Sequence, residues 1–212
     1  MRRLAVLLLL CGSAFAQLAF EVASVKPSQP DTPGHMTGGP GTADPGRWTC
    51  THCSLFALLT QAYAVFEYQL QIPDWTNSVF FDVVAKLPPG ATRDEFRLML
   101  QRLLAERFQM KAHHESREQS VYEVTVAKVG PKLHQVTEPI PAPPPGQPVV
   151  DATGLAGTYP LMLSWTATPR PDDVGPTLFQ AVEDQLGLKL KPARAAIETI
   201  VVDHLEKTPS GN

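Results

Sequence analysis

The sequence lacks long apolar runs, and its most hydrophobic stretch covers only residues 4–11. A membrane-spanning helix needs about 20 consecutive apolar residues. Basic clusters are also missing, and 18 lysines and arginines stand against 21 acidic residues in the whole chain. We therefore expect no membrane span and no electrostatically driven binding to nucleic acid.

Several signatures of catalysis are missing as well. No serine lies in a G-x-S-x-G elbow, and no glycine-rich loop precedes a helix in the manner of nucleotide-binding proteins. The H-E-x-x-H zinc motif is absent, and no second cysteine pair is spaced to complete a four-ligand zinc site. The sequence therefore predicts no catalytic residue, no metal site and no cofactor, and it leaves the binding residues unknown.

The first 16 residues are typical of an export signal. Two arginines follow the initiator methionine, a short apolar core comes next, and Ala14-Phe15-Ala16 forms a cleavage site. The mature chain is expected to start at Gln17 and to be exported, either periplasmic or secreted. Cys11 is preceded by leucine, whereas bacterial lipid attachment favours a small residue there, so the sequence argues against lipid anchoring through Cys11.

The segment 94–111 changes its hydrophobic period in the middle. Apolar residues from Phe96 to Leu104 fall at i, i+3, i+4, i+7 and i+8, which predicts an amphipathic helix. Phe108 and Met110 then alternate with polar residues, as in a strand. Residues 177–191 show the same order about 80 positions later, which predicts a repeated strand–helix–strand–strand unit. The fold class expected is α+β, with helices packed on a largely antiparallel sheet.

Proline and glycine separate the remaining elements. The predicted helix at 55–66 is capped by Ser54, and the stretch 28–46 is predicted to be an irregular loop. Strands are predicted at 19–27, 79–87, 121–126 and 158–165, and turns at 113–119 and 192–195. The proline-rich segment 139–148 either connects two α+β halves, 17–138 and 149–212, or lies as a loop on one continuous domain.

Cys50-x-x-Cys53 is the most suggestive pair of residues, because the mature chain has no other cysteine. One interpretation is a disulfide that staples the loop to the following helix, and another is a redox-active thiol pair activated by the helix N-terminus. A thioredoxin-like fold needs a βαβ unit before the motif, whereas only one strand and a loop precede it here. The sequence therefore favours a structural disulfide between Cys50 and Cys53.

Two polar clusters invite a catalytic interpretation. His113-His114-Glu115 lies in a predicted turn, and neighbouring residues on a strand point to opposite faces. Asp203-His204 lies at the end of a predicted strand, so its two side chains are expected to diverge. Both clusters are therefore interpreted as solvated polar residues.

Several segments together resemble a known family. They are Phe20 to Pro27; Leu59 to Tyr63 and Pro73-Asp74-Trp75 with Phe81 to Lys86; Met99-Leu100-Gln101-x-Leu103-Leu104-Ala105-Glu106-Arg107-Phe108; Val150-Asp151-x-Thr153-Gly154-Leu155-x-Gly157-x-Tyr159; Gln185 to Leu190; and Val202-Asp203-His204-x-Glu206-Lys207. This combination resembles the TIGR03435 family, or DUF3738 domain, of exported proteins in soil Acidobacteria. The resemblance implies an exported protein of a family without established catalytic residues. Some relatives carry a membrane metallopeptidase, but no segment here corresponds to it.

The sequence favours a non-enzymatic exported module that binds or senses an envelope partner or a small ligand. The alternative is an exported thiol–disulfide oxidoreductase that uses Cys50 and Cys53. A third hypothesis is an assembly domain similar to the small modules of outer-membrane secretion proteins.

Overall fold

The computed structural model describes residues 18–133, 148–166 and 175–211. These residues form eight strands and three helices. In chain order they are β1 (Val22–Pro27), β2 (His35–Gly38), β3 (Arg47–Ser54), α1 (Leu55–Tyr63), β4 (Leu70–Gln71), β5 (Phe80–Lys86), α2 (Arg93–Phe108), β6 (Lys111–Val126), β7 (Val149–Asp151), α3 (Leu178–Leu186) and β8 (Leu188–His204). The α+β class predicted from the sequence is confirmed.

The chain is divided between two compact units that are built from interleaved segments. Unit 1 contains the described residues up to Ala64, then Pro73–Lys111 and those from His204 onward; unit 2 contains Val65–Ile72 and the described residues of Ala112–Asp203. The sequence predicted either two consecutive halves, 17–138 and 149–212, or one continuous domain. The two divisions differ because β6 and β8, one from each predicted half, pair in a single sheet. Of the predicted connector 139–148, only Pro148 lies within the described residues.

Unit 1 is built on a four-stranded antiparallel sheet with the order β1–β5–β3–β2. Helix α1 begins after Ser54, whose hydroxyl accepts a hydrogen bond from the Ala57 backbone N–H at 3.1 Å, as the capping prediction requires. The predicted apolar face of α2 is confirmed. Its five buried members are Phe96, Met99, Leu100, Leu103 and Leu104.

The junction after α2 differs in detail from the prediction. Phe108 is the last residue of the helix rather than the first of a strand, and Gln109 adopts a left-handed conformation with φ of 50°. The left-handed residue ends the helix, and β6 begins at Lys111. Phe108 and Met110 are both buried, so the inward direction predicted for them is confirmed.

Unit 2 contains a second four-stranded sheet with the order β4–β8–β6–β7. β4 is parallel to β8, and β7 is parallel to β6. The Ala127 N–H bonds the Gly187 carbonyl near one end of the β6–β8 pair, and His113 lies beside Asp203 at the other. The two long strands are therefore antiparallel.

Two predicted turns are wrong. Residues 113–119 lie within β6, a continuous strand of 16 residues, and residues 192–195 lie within β8, which has 17. Polar side chains do not end these strands, because they pair across the ribbon that β6 and β8 form. Among the described residues of β8, β4 pairs only with Ile200 and Val201. Within the described structure, the β4 side of β8 is therefore unpaired at Pro192, and a proline, which has no backbone N–H to donate, is tolerated there.

The predicted strand at 158–165 is also wrong, since only an isolated bridge forms there, at Thr158. The Gln185 side chain bonds both backbone groups of Ser164, at 3.1 and 2.8 Å, in the place of a neighbouring strand. Leu163 packs against the cluster formed by Val182, Leu186 and Leu188. The helix-to-strand part of the predicted repeat recurs as α2–β6 and α3–β8, whereas the strand expected before α3 is not formed.

Candidate functional site

The cysteine motif lies at the end of β3, on a β-bulge against β5. Cys50 lies opposite Val83 and Cys53 opposite Phe81, so two residues of β3 face the single residue Asp82. Residues three apart on a regular strand point to opposite faces, but the extra residue restores a common face. Cys50 and Cys53 form a disulfide across this bulge, with 5.8 Å between their Cα atoms.

His52, inside the motif, occupies the bulge with a φ of 49°. Its backbone N–H donates to Oδ1 of Asp82 at 2.9 Å, and its ring stacks on Phe80 with 4.2 Å between centroids. The hydroxyl of Ser28 lies 3.0 Å from its Nδ1. These contacts hold His52 in its left-handed backbone conformation, so a structural role accounts for the residue.

The disulfide is shielded from solvent. Cys50 is fully buried and Cys53 is 8% exposed. Thiol–disulfide exchange requires an attacking thiolate to reach a sulfur atom, so this burial opposes turnover. The arrangement instead fixes the register of β3 on β5 at the start of α1.

The double variant Cys50→Ala/Cys53→Ala is expected to lower the free energy of unfolding by about 2 kcal/mol, because the four-residue loop loses its cross-link. Urea denaturation of the mature protein measures the change. A reducing agent should produce a similar loss in the parent protein and no further loss in the variant. An unchanged urea midpoint in the variant would contradict a stabilising role for the disulfide.

The two histidines at 113 and 114 lie on opposite faces of β6, as expected for neighbours on a strand, and have separate partners. Nδ1 of His113 lies 2.9 Å from a carboxylate oxygen of Asp203, and Nδ1 of His114 lies 2.7 Å from Glu198. All four side chains are at least half exposed. Asp203 and His204 do not act together, since Nε2 of His204 lies nearest Glu206, at 3.9 Å.

A groove in unit 1 lies between residues 19–23 and α2. Its volume is about 320 Å³. The apolar part of its lining includes Phe20, Met99 and Leu103, and its charged part includes Arg102 and Arg107. The groove therefore combines apolar surface with guanidinium groups, as small-molecule sites do.

Arg102 has unused hydrogen-bonding capacity in this groove. Its Nε donates to Glu106 at 2.6 Å, while its Nη1 is buried and has no hydrogen-bond partner in the described structure. A buried guanidinium nitrogen without an acceptor is costly. A change of the Arg102 side-chain conformation that brings Nη1 to a ligand oxygen in the groove would relieve that cost.

The acidic residues of the groove are already neutralised. Glu21 pairs with Lys86 at 2.5 Å, and Glu106 pairs with Arg102. The Arg107 side chain donates to the uncharged carbonyl of Gly211. The two carboxylates and two guanidiniums of the lining balance each other, and Lys86, which pairs with Glu21 but does not line the groove, adds one positive charge beside them. This charge favours a ligand that carries a single negative group.

Sequence reasoning did not identify the groove residues. Arg102 and Glu106 are spaced i,i+4 on α2, which by itself indicates only a surface ion pair. The adjoining segment 19–23 is at least 70 residues away from α2 in the sequence, so no local sequence pattern predicts the groove.

The motif Val150-Asp151-x-Thr153-Gly154, which contributes to the family resemblance, forms a turn. Asp151 accepts hydrogen bonds from the backbone N–H and the hydroxyl of Thr153, at 2.8 and 2.7 Å. The backbone hydrogen bond, and to a smaller extent the hydroxyl hydrogen bond, hold the pKa of the Asp151 carboxyl below its usual value. Gly154 then takes a φ of 68°. The carboxylate is therefore occupied in shaping the chain after β7.

The described residues contain no cluster of three metal-ligating side chains. Across those same residues, no helix combines the length and apolarity that crossing a bilayer requires. The features that remain define an α+β protein with a buried disulfide and a charged, partly apolar groove. Residues 57–147 and 144–205 match the family described as protein of unknown function (DUF3738), and the chain belongs to that family. No curated protein and no solved structure matches the chain.

Proposed function

We propose that the protein is an exported, non-enzymatic module of the bacterial envelope that binds a small amphipathic acid in the groove beside α2. The observation that carries the proposal is that Arg102, which has an Nη1 unpartnered in the described structure, lines a groove together with the apolar side chains of Phe20, Met99 and Leu103. The export signal proposed for residues 1–16 lies outside the described residues. A disulfide is the form that cysteines take in an oxidising compartment, which supports an envelope location. The resemblance to exported proteins of soil Acidobacteria supports it as well.

The volume of the groove limits the size of the ligand. At about 320 Å³, it lies at the lower end of the range of roughly 300–1,000 Å³ for small-molecule sites. A single aromatic or acyl group with one carboxylate fits this space. Most of an extended glycan, in contrast, would lie outside the groove. The apolar group would contact Phe20 and Leu103, and the carboxylate would approach Arg102.

Arg102→Met is expected to weaken binding of N-acetylphenylalanine by tenfold to hundredfold. The substitution keeps an apolar stem and removes a charge-assisted hydrogen bond, which contributes about 1.5–3 kcal/mol. Calorimetric titration of the mature protein measures the affinity. Arg97→Met is the matched control, because Arg97 also lies on α2 in an ion pair, with Asp94, and does not line the groove.

The amide of the same compound distinguishes charge recognition from apolar adsorption. It is expected to bind at least about tenfold more weakly than the acid, since it cannot form a charge-assisted pair with the guanidinium. Equal affinities for acid and amide, or equal losses in the Arg102 and Arg97 variants, would refute the proposed site.

The alternative function is an exported thiol–disulfide oxidoreductase. The position of the cysteine pair directly before α1 favours it, because a helix N-terminus lowers the pKa of a nearby thiol. The complete burial of Cys50 opposes it. An insulin-reduction assay with a Cys50→Ser control separates the two functions, because only an oxidoreductase shows turnover that the substitution abolishes.

A further inference from the structure

Among the described residues, one edge of β6 has no pairing strand over most of its length. β7 covers only Tyr122, Glu123 and Val124 of that edge. The Tyr122 N–H donates to the Pro148 carbonyl, and the Ala152 N–H donates to the carbonyl of Val124, so even-numbered residues direct their backbone groups to this side. By the two-residue period of a strand, the even-numbered residues of 112–120 do the same.

No strand of the described structure pairs with this edge at 112–120. The Glu118 carbonyl lies 3.5 Å from an Arg194 guanidinium nitrogen, which is too long for a normal hydrogen bond. Side chains there are exposed, with His114 and Glu118 each 63% accessible. An open edge of this kind is a template for another strand.

The charges along this edge are self-complementary. Residues 114–118 read His-Glu-Ser-Arg-Glu. When two copies pair antiparallel about Ser116, Glu115 lies opposite Arg117 of the second copy, and His114 lies opposite Glu118. Two-fold symmetry makes each of these pairs twice. Opposite charges directly across a strand pair, as in the Glu115–Arg117 pairs, contribute roughly 0.2–1 kcal/mol each. The His114–Glu118 pairs carry opposite charges only when His114 is protonated.

Neighbouring registers do not share this property. A centre at residue 115 places Glu115 opposite itself, and a centre at residue 117 places Arg117 opposite itself. Parallel pairing in register would align each charge with its own copy. Like charges across a pair are destabilising, so the Ser116 register is favoured over these three alternatives.

We propose that the protein forms a homodimer through antiparallel pairing of its two β6 edges, centred on Ser116. The pairing uses residues 112–120, which end where β7 begins to cover the strand. Within one chain, Arg117 already bonds Glu115 at 2.7 Å, and its Nε has no hydrogen-bond partner in the described structure. In the dimer, the two glutamates and two arginines form one four-membered network. The charged side chains on this edge then stabilise pairing with a second copy and disfavour pairing with strands that lack complementary charges.

Sedimentation equilibrium of the mature full-length protein tests the dimer. Glu115→Arg is expected to raise the dimer dissociation constant by at least about tenfold, because it turns two attractive pairs into repulsive ones. The exchange Glu115→Arg/Arg117→Glu is expected to restore self-association. The exchanged protein should pair less well with the parent protein than with itself in a mixed, differently labelled sample, because both pairs between positions 115 and 117 are then between like charges.

Ser116→Pro separates pairing from folding. The proline removes an N–H that points away from β8, so each protomer is expected to keep its unfolding midpoint while the dimer is lost. Ser116→Ala is the matched control and should remain dimeric. A parent protein that stays monomeric at millimolar concentration would overturn the proposal. A dimer that survives Ser116→Pro, or exchanged chains that pair equally with the parent, would do so as well.

Discussion

Gly187→Ala is expected to lower the free energy of unfolding by about 3 kcal/mol, as measured by urea denaturation. Gly187 follows α3 with a φ of 65°, a conformation that costs an alanine roughly 1–2 kcal/mol. A Cβ atom there would also overlap the backbone carbonyl of Gly130. Overpacking of this kind costs a further 1–3 kcal/mol or so, because backbone must move.

Gly154→Ala is the matched control for this variant. Gly154 has a similar φ of 68°, but the space around its Cα is open. Its substitution introduces only the strain of an alanine in a left-handed conformation, so the free energy of unfolding should fall by only about 1–2 kcal/mol. Equal losses at Gly154 and Gly187 would show that the approach of Gly130 has no energetic consequence.

Phe108→Ala is expected to cost about 3–5 kcal/mol, the range for truncating a buried phenylalanine. Its side chain is completely buried, and its ring meets Phe81 edge to face with 4.9 Å between centroids. The cavity would form where α2 ends and its chain reverses. Because the Phe108 carbonyl also accepts a hydrogen bond from the Glu206 N–H, any local shift reaches the carboxyl-terminal segment.

Leu98→Ala serves as the comparison on the same helix. Leu98 is 49% exposed, so its truncation should change the free energy of unfolding by no more than about 0.5 kcal/mol. Chemical denaturation of both variants gives the two values under one condition. Similar losses for Phe108 and Leu98 would contradict the burial difference described along α2.

Local patterns in the sequence were sufficient for the helices. The spacing of Phe96 and Leu104 predicted the buried face of α2, and Ser54 was identified as the N-cap of α1. A second helix was predicted within residues 177–191, where α3 lies. Each of these signals depends on contacts within a few residues, which the sequence displays directly.

Strand lengths and the candidate site depend on residues that are distant in the chain. The stretch 113–119 is polar enough to resemble a turn, and only its pairing with β8 makes it a strand. The bulge at His52 is defined by its position opposite Asp82, 30 residues away. The groove likewise needs residues 19–23 beside Arg102. None of these juxtapositions leaves a periodic signal.

The interleaved units have a consequence for how this protein can be cut or fused. The chain passes between unit 1 and unit 2 at residues 64, 72, 111 and 203, so each unit takes strands from distant parts of the gene. A break in the proline-rich segment would leave β6 on one fragment and β8 on the other. Such fragments should behave as split-protein halves, which regain structure only when both are present.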